Sequence, residues 1–458
     1  MSVPKDAMSS EMPPGQDPAP GRADQRPFWR RRAPRRASQI ALAVAFACCL
    51  AASGVLLSRP HMLSATHQVD FKVYYVAAEV VHEGLDGQLY TDAGNGKDPQ
   101  LRRSSPNSVF SRAGMRRGVG ATYLYLYPPL LADMLLPIRS ISPIHAQWAW
   151  MIANLLATAL IIFILAQLHG SRKPSLNILL LLAGMFCFRP FWVGLLLGQV
   201  VTLLLLLWVA SSALYVAGWK RASALVISLA VAIKLTPLLI VVPMLIWGEW
   251  KWLRWFSAGV IGTFLIMCWR NTPGTVLFYF FHVMPPMSAG ISTLGNKSIP
   301  AAVSVLWRGG EDLHGVDIHP LVVIFGKLLC LGIIACAGFF TIKARQELTK
   351  ERKILILACY ALLSICLAPV SLMHAYVIGF FALATFWRRA LIVRVLYPEL
   401  ALLVAASATI GGADMGGVCR KLGPHFYVLA FGAPILGAAL ALYGLGLDRP
   451  FGSETSTS

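Results

Sequence analysis

Charge is what this sequence has least of. Asp, Glu, Lys and Arg make up 13% of its 458 residues and hydrophobic residues 57%, whereas an ordinary soluble domain is about a quarter charged. This balance excludes a soluble globular protein and indicates an all-α polytopic membrane protein. Acidic residues are fewer than basic ones, 21 against 40. Because Lys and Arg accumulate in cytoplasmic tails and short loops, and no nucleic-acid-binding module is recognisable, we attribute the basic excess to membrane topology.

Motifs for several kinds of site are missing as well. Eight of the nine cysteines lie in or beside apolar runs and none forms a CxxC pair, which excludes a disulfide framework and a cysteine metal site. No soluble nucleotide-binding module is present. The spacing of His314, Asp317 and His319 admits a metal, but loop residues of this kind are commonly just solvated. We therefore expect neither a metal nor a cofactor.

The N-terminus differs from the rest of the chain. Residues 1–38 are rich in Pro and Arg, a composition typical of a disordered basic tail. Its arginines directly precede the apolar run Ile40–Leu57, so we expect the tail in the cytoplasm and the next loop outside. We further expect a transmembrane domain, two external loops within it and a short C-terminal tail at residues 39–448, 59–122, 271–319 and 449–458, respectively.

Apolar runs recur through the membrane domain, and their number predicts roughly ten to thirteen membrane segments. Ala146–Leu168 is the clearest of them. The run Ala222–Trp247 has basic residues at both ends, a pattern that one spanning helix does not satisfy. A break near Lys234 and Pro237 would satisfy it, because proline removes a backbone donor. The alternative is a single helix with a charge at mid-membrane.

The stretch Asp70–Tyr90 follows the first apolar run and has two faces at helical spacing. The apolar face and the polar face comprise, respectively, Tyr74, Ala77, Ala78, Val81 and Leu85, and Lys72, Tyr75, Glu79, His82 and Glu83. This pattern predicts a helix that lies at the membrane surface, with Asp70 at the boundary between lipid and water. Tyr74 and Tyr75 are expected to anchor it at the interface.

Short motifs spread over most of the chain give it a resemblance to a known family. They are DFKVYYVAA at Asp70, GQLY at Gly87, YPPL at Tyr127, GQV at Gly198, IKLTP at Ile233, GNKS at Gly295 and SLMHAYV at Ser371. In this order they resemble the bacterial family 87 glycosyltransferases, which include polyprenol-phosphate-mannose-dependent α-mannosyltransferases. The chain departs from the family pattern at Val201, at Lys297 and just before His374, positions that concern the sugar and the acceptor more than the reaction.

The resemblance implies the GT-C membrane transferase fold, a bundle of roughly 10 to 13 transmembrane helices with an amphipathic external loop helix. It also implies that a hexose, best known as mannose, moves from a polyprenyl-phosphate donor to a lipid or glycan acceptor without a nucleotide. We expect this reaction, with inversion at the anomeric carbon, on the external or periplasmic face of the plasma (inner) membrane. The expected partners are that donor, the acceptor and membrane lipids, without nucleic acid.

For such a transfer, Asp70 is the candidate general base, because an acceptor hydroxyl must lose its proton as it attacks. Its structural alternative is a helix N-cap. Lys234 and His374 are candidates for contact with the leaving phosphate, whose negative charge must be met. Lys234 lies more than ten residues from either basic flank, and an intramembrane charge is functional by default. For His374 the alternative is an interfacial residue with no role in catalysis.

Four further residues are candidates for donor or substrate binding. Arg189 is a natural phosphate clamp by its chemistry. Gln199 and Asn296 have amides that suit sugar hydroxyls, but they suit loop backbone equally well. Tyr127, with the two prolines after it, is also expected to shape the start of a helix.

A transporter or flippase of a lipid-linked or anionic substrate is the alternative function, since it would also use an intramembrane lysine and broken helices. Transport does not require an external helix headed by a carboxylate, and the two halves of the sequence show no evident duplication. These observations favour the transferase. The sequence does not give the oligomeric state.

Overall fold

The computed structural model describes residues 32–58, 68–90, 105, 107–120, 122–170, 174–307, 318–412, 419 and 421–447. In these ranges the regular structure is helical, apart from an isolated β-bridge between Arg32 and Leu396. Most of the predicted N-terminal tail and parts of both predicted external loops lie outside the described residues. The first helix begins at Arg35, slightly before the predicted boundary at residue 39.

The helices follow one another with short connections. The first nine are α1 (Arg35–Leu57), α2 (Val69–His82), α3 (Val109–Arg116), α4 (Pro129–Met134), α5 (Pro143–His169), α6 (Pro174–Cys187), α7 (Arg189–Leu197), α8 (Val201–Val216) and α9 (Lys220–Ile233). They are followed by α10 (Val241–Ile246), α11 (Trp250–Arg270), α12 (Pro273–Phe278), α13 (Met284–Ser288), α14 (Ile299–Trp307), α15 (Pro320–Ala344), α16 (Lys350–Cys366), α17 (Phe380–Ile392), α18 (Tyr397–Gly411), α19 (Tyr427–Ala430) and α20 (Gly432–Gly446). Short 3₁₀ segments lie at Asp86–Gln88, Leu136–Ser140, Thr236–Ile240, Arg345–Glu347, Met373–Gly379 and Pro424–Phe426, and Tyr279–Val283 is a π-helix.

Several of the helices are long and apolar enough to cross a membrane. In the described residues these are Arg35–Leu57, Pro143–His169, Trp250–Arg270, Pro320–Glu347 and Met373–Ile392, and α6 with α7 makes a sixth span if the bent pair crosses as one. Other apolar helices have 10–17 residues, which is about 15–25 Å at 1.5 Å per residue, against a hydrocarbon core of about 30 Å. The protein is therefore a multi-pass helical membrane protein, but the predicted count of ten to thirteen spans is not confirmed.

α6 and α7 meet at an angle of 64°, although the sequence predicts one run over Asn177–Leu197. Phe188 separates them with extended backbone, at φ −84° and ψ 103°. Pro190 follows in the first turn of α7, where its missing N–H is tolerated, whereas inside a continuous helix it would remove a hydrogen bond. Beyond this bend α7 runs to a contact with α2.

The predicted break in the run Ala222–Trp247 is confirmed. α9 ends at Ile233, and Lys234 is extended, at φ −156° and ψ 130°. A 3₁₀ segment then begins at Thr236, with Pro237 in its first turn. The alternative of one continuous helix is therefore wrong, and Lys234 lies at a helix end.

The core of the bundle surrounds α16, which is buried at every residue from Ile354 to Cys366. α8, α17 and α20 pack against it, as do the 3₁₀ segments Thr236–Ile240 and Met373–Gly379. These two segments carry the chain directly after Lys234 and around His374. The buried helix thus fixes the backbone on which both candidate residues stand.

α2 is not the surface helix that its two faces predict. Phe71 and every residue from Val73 to Val80 are buried, and α3, α4, α5 and the Leu136–Ser140 segment pack around the helix. The polar face is buried because its charge is matched there. Glu79 Oε2 lies 3.7 Å from Arg117 Nε and 3.6 Å from an Arg139 nitrogen.

Tyr74 and Tyr75 are likewise not interfacial anchors, since each is only 1% exposed. Tyr75 donates hydrogen bonds to the carbonyl oxygens of Arg139, at 3.1 Å, and Ile141, at 2.8 Å. Tyr75 therefore ties α2 to the connection that leads into α5. Tyr74 points to a different set of partners, described next.

Candidate active site

The first turn of α2 meets the turn that follows α7. Asp70 is the second residue of α2, and its Oδ2 accepts a hydrogen bond of 2.5 Å from Gln199 Nε2. The residue at the N-cap of α2 is Gln68, so the alternative that Asp70 caps this helix is wrong. The carboxylate is instead bonded to a side chain 129 positions away in the sequence.

Gln199 is the centre of this cluster. Its Oε1 accepts hydrogen bonds from the hydroxyls of Tyr74, at 3.1 Å, and Tyr127, at 3.2 Å. The two tyrosine rings meet edge to face, with centroids 5.1 Å apart. Gln199 is 4% exposed, and its contacts are with side chains and not with the loop backbone that the sequence offered as an alternative. The amide therefore has its oxygen on the tyrosines and its nitrogen on Asp70.

Gly198 allows the two helices to approach this closely. It ends α7 in the left-handed region, at φ +71°. A Cβ added to Gly198 would lie 2.6 Å from Phe71 Cβ, a distance that real Cβ atoms essentially never show. Trp150 closes the contact, because its indole N–H donates to Gly198 O at 2.8 Å and its ring stacks on Phe71 at 5.6 Å.

Lys234 joins the cluster from the break after α9. Its Nζ lies 5.9 Å from the centre of the Tyr127 ring, a cation–π distance. Lys234 interacts electrostatically with Asp70 and also with His374. The structure therefore brings Asp70, Lys234 and His374 to one place in the bundle and not to opposite faces.

His374 stands behind Lys234 in the Met373–Gly379 segment and is 6% exposed. It packs beside α7, since a Cβ on Gly194 would lie 3.8 Å from His374 Cβ. Lys234 and Ser371 line a cavity of about 10 Å³ at this point. A cavity of that size holds about one water molecule, so the site is closed in this conformation.

Asn296 connects two loops near the site. Its Nδ2 donates to the carbonyl oxygens of Ile291, at 3.0 Å, and Pro369, at 2.9 Å. Its Oδ1 accepts from Ser371 N at 2.8 Å. These bonds are of the loop-backbone kind that the sequence left open, and they position the chain that leads into His374.

Arg189 is the one predicted site residue that the described structure keeps apart from Gln199. It begins α7, whereas Gly198 follows the last residue of that helix. Nine residues at 1.5 Å each separate the two positions by roughly 13 Å along the axis.

The surroundings of Asp70 tune its acidity. Burial raises the pKa of this carboxyl group to about 6, against the opposing effects of the Gln199 hydrogen bond and the Lys234 charge. A carboxylate that titrates near neutral pH suits proton abstraction, because catalytic bases work best with a pKa near the operating pH. The site therefore holds an external-loop base, a lysine and a histidine in mutual range.

The described residues contain no group of three His, Cys, Asp or Glu side chains that could hold a metal. His314 and Asp317 of the sequence motif lie outside the described residues. His319 accepts a hydrogen bond from Leu321 N at 3.3 Å and so caps α15.

A family model for glycosyltransferase family 87 matches residues 125–369, more than half of the chain. The chain belongs to glycosyltransferase family 87. It is a membrane glycosyltransferase, with a sugar donor and an acceptor as its substrates. A search of curated proteins and a search of solved structures found no match. Membership in family 87 favours the transferase over the transporter or flippase.

The family match covers part of the site. Tyr127, Gln199 and Lys234 lie within the matched residues, whereas Asp70 and His374 lie outside them. The role of Asp70 therefore depends on its geometry in this member of family 87. Sequence reasoning missed Trp150 altogether, and it misplaced Tyr74, although the spacing from Asp70 to Tyr74 puts both on one helical face.

Replacement of Gly198 by Ala tests the close approach of α2 and α7. We expect the transfer rate to fall by about 100-fold, because a displacement of about 1 Å at a reacting group has that effect. Gly218→Ala is the matched control, since Gly218 also has a positive φ, at +89°, but nothing lies within 4 Å of its Cβ position. Transfer of labelled sugar by both purified variants is the measurement, and equal rates would contradict the role given to this contact.

Proposed function

We propose that this family 87 member transfers a hexose, with mannose as the expected sugar, from a polyprenyl-phosphate donor to a lipid or glycan acceptor. The observation that carries the proposal is the hydrogen bond between Asp70 and Gln199 beside Lys234. It places a carboxylate, held by a neutral amide, in range of a cation that suits a phosphate. Inverting transfer needs one base and a means of meeting the leaving charge.

Asp70 is the proposed general base. The acceptor oxygen forms a bond to the anomeric carbon while its proton passes to the Asp70 carboxylate. The bond between that carbon and the donor phosphate oxygen breaks at the same time, and its electron pair leaves with the lipid phosphate. Attack from the face opposite the phosphate inverts the anomeric carbon. No covalent enzyme intermediate is formed, so one carboxylate is sufficient.

Lys234 and His374 are the proposed partners of the leaving phosphate. Their positions behind Asp70 suit a donor whose sugar lies between the base and the phosphate. Because the cavity at Lys234 is only about 10 Å³, donor binding requires side chains to move apart there. Arg189 remains a candidate clamp for the same phosphate only if the donor extends along α7.

Gln199 is proposed to orient the base. Its nitrogen fixes one carboxylate oxygen of Asp70, and its oxygen is held by Tyr74 and Tyr127. The other Asp70 oxygen is thereby directed for the acceptor. Tyr127 also faces Lys234 with its ring, so it adjoins both the base and the proposed phosphate contact. Asn296 acts through the backbone before His374.

The proposed active site lies on the external side of the plasma membrane. Contacts within the bundle group the basic helix ends, since Arg388 donates to Gly170 O at 2.9 Å and Arg35 to Ile392 O at 3.2 Å. Basic helix ends mark the cytoplasmic side. The Gly198 turn is bonded to Trp150, near the opposite end of α5 from Gly170.

Asp70→Asn is the direct test of the base. We expect transfer to fall by about 10²- to 10⁴-fold, because the amide does not accept the acceptor proton. Melting temperature and binding of the lipid-linked donor should be retained, since the variant keeps the size of the side chain. Glu83→Gln is the matched control in the same helix region, because Glu83 pairs with Arg116 at 2.6 Å outside the cluster. Rapid turnover by Asp70→Asn would refute the assignment.

The pH dependence of transfer follows from the Asp70 pKa of about 6. Only the ionised carboxylate accepts a proton, so kcat/KM should be constant above this pKa and fall about tenfold for each pH unit below it. Steady-state assays between pH 4.5 and 8.5, with donor and acceptor in a fixed detergent, provide the measurement. A rate that is flat through this range is the contrary result.

Lys234→Met tests the phosphate contact by two readouts. Loss of a charged hydrogen-bond donor should weaken the donor KM by about 10- to 100-fold. The same change should move the acidic limb of the pH profile to higher pH, because the Lys234 charge lowers the Asp70 pKa. Lys234→Arg, which keeps the charge, should leave that limb in place. An unchanged donor KM together with an unshifted limb in Lys234→Met would argue against both roles.

A further inference from the structure

A cavity of about 890 Å³ lies between α1, α6 and α17, with single lining residues from α18 and the end of α5. Its volume falls within the range of about 300–1,000 Å³ that is usual for small-molecule sites. The proposed transfer reaction uses none of the residues that line it. The cavity is therefore a feature that the active site leaves unexplained.

The walls of this cavity are chiefly aliphatic and aromatic. They include Leu42, Phe46, Leu180, Leu181, Phe380 and Leu383. α6 exposes much of its outer surface, since Leu179 is 61% and Leu180 38% exposed. Because the outer surface of a spanning helix faces lipid, hydrocarbon chains have direct access to these walls.

One end of the cavity is cationic. Arg35 and Arg388 both line it, and their backbone contacts to Ile392 and Gly170 hold them at the same helix ends. No lining residue is Asp or Glu. Glu351 interacts with Arg388 from outside the lining. Each guanidinium group carries five N–H donors in a planar fork, a geometry that matches phosphate.

The length of the cavity fits an acyl chain in one leaflet. Along α1 the lining extends from Arg35 to Cys49, which is roughly 21 Å at 1.5 Å per residue. Half of the hydrocarbon core is about 15 Å thick. A chain whose phosphate lies at Arg35 would therefore end near Cys49, beside Phe188 at the start of α7.

We propose that this cavity binds one anionic phospholipid from the cytoplasmic leaflet. The phosphate of its headgroup lies at Arg35 and Arg388, and an acyl chain lies between α1, α6 and α17. The site is separate from the Asp70 cluster. His169, which lines the cavity, is 19 residues from Trp150 on α5, a distance of roughly 28 Å along the helix.

Native mass spectrometry of the full-length protein tests this site. The protein is purified in detergent with phosphatidylglycerol or with phosphatidylcholine of the same acyl chains, and the fraction that retains one lipid is measured. We expect phosphatidylglycerol to be retained at least tenfold better, because each arginine near an anionic headgroup contributes about fivefold. Equal retention of the two lipids would overturn the proposal.

Two matched pairs of variants locate the bound lipid. Leu180→Trp fills the cavity and should abolish retention of phosphatidylglycerol, whereas Leu179→Trp, on the neighbouring residue outside the lining, should not. Arg388→Gln should reduce retention about fivefold, whereas Arg394→Gln, at an exposed residue outside the lining, should leave it unchanged. Equal effects within each pair would place the lipid elsewhere.

A competition assay separates this site from donor binding. Polyprenyl monophosphate is added at the same concentration as phosphatidylglycerol, and retention of the phospholipid is measured again. We expect phosphatidylglycerol to remain bound. If polyprenyl monophosphate displaces it from the wild-type protein, the cavity belongs to the lipid-linked donor and the phospholipid proposal is wrong.

Discussion

The Gln199 amide is the contact on which the arrangement of this site depends. It is bonded to the carboxylate of Asp70 on one side and to two tyrosine hydroxyls on the other. An amide has both a donor and an acceptor end, so it can hold an anion and two neutral hydroxyls without a second charge. Without it Asp70 would face Lys234 alone, and a tight ion pair would depress the pKa of the carboxyl group below the range useful to a base. The neutral amide keeps Asp70 in place while burial keeps its pKa near 6.

The same principle explains how α2 is enclosed. A helix with charges on one face has a high desolvation cost inside a bundle, unless each charge finds a partner there. Glu79 lies between Arg117 and Arg139, and Tyr75 satisfies the backbone of the adjoining segment. These pairs allow packing on both faces, and that packing holds the first turn of α2 still against Gly198. Precise placement of the proposed base is thus a consequence of charge pairing two turns further along the helix.

Periodicity and proline placement predicted the local features of this fold. The existence of α2, the break at Lys234 and the helix start after Tyr127 all follow from short-range patterns and are present in the structure. The error on the environment of α2 has a physical cause, because a two-faced pattern is the same whether the polar face meets water or buried arginines. Likewise, no local signal in the sequence links Asp70 to Gln199, which lies 129 positions further along. The motifs named both residues, but only the tertiary contact reveals that one holds the other.

The bend between α6 and α7 connects the two ends of the molecule. Phe188 at the bend lines the inner end of the large cavity, and the short α7 that follows ends at Gly198. The direction of α7 is set by Pro190 and by the packing of Phe188 against Phe380, with ring centroids 5.6 Å apart. Because packed side chains transmit displacement with little compression, whatever fills the cavity bears on the same aromatic contact that aims α7 at α2. The membrane therefore supplies part of the packing that holds the proposed active site.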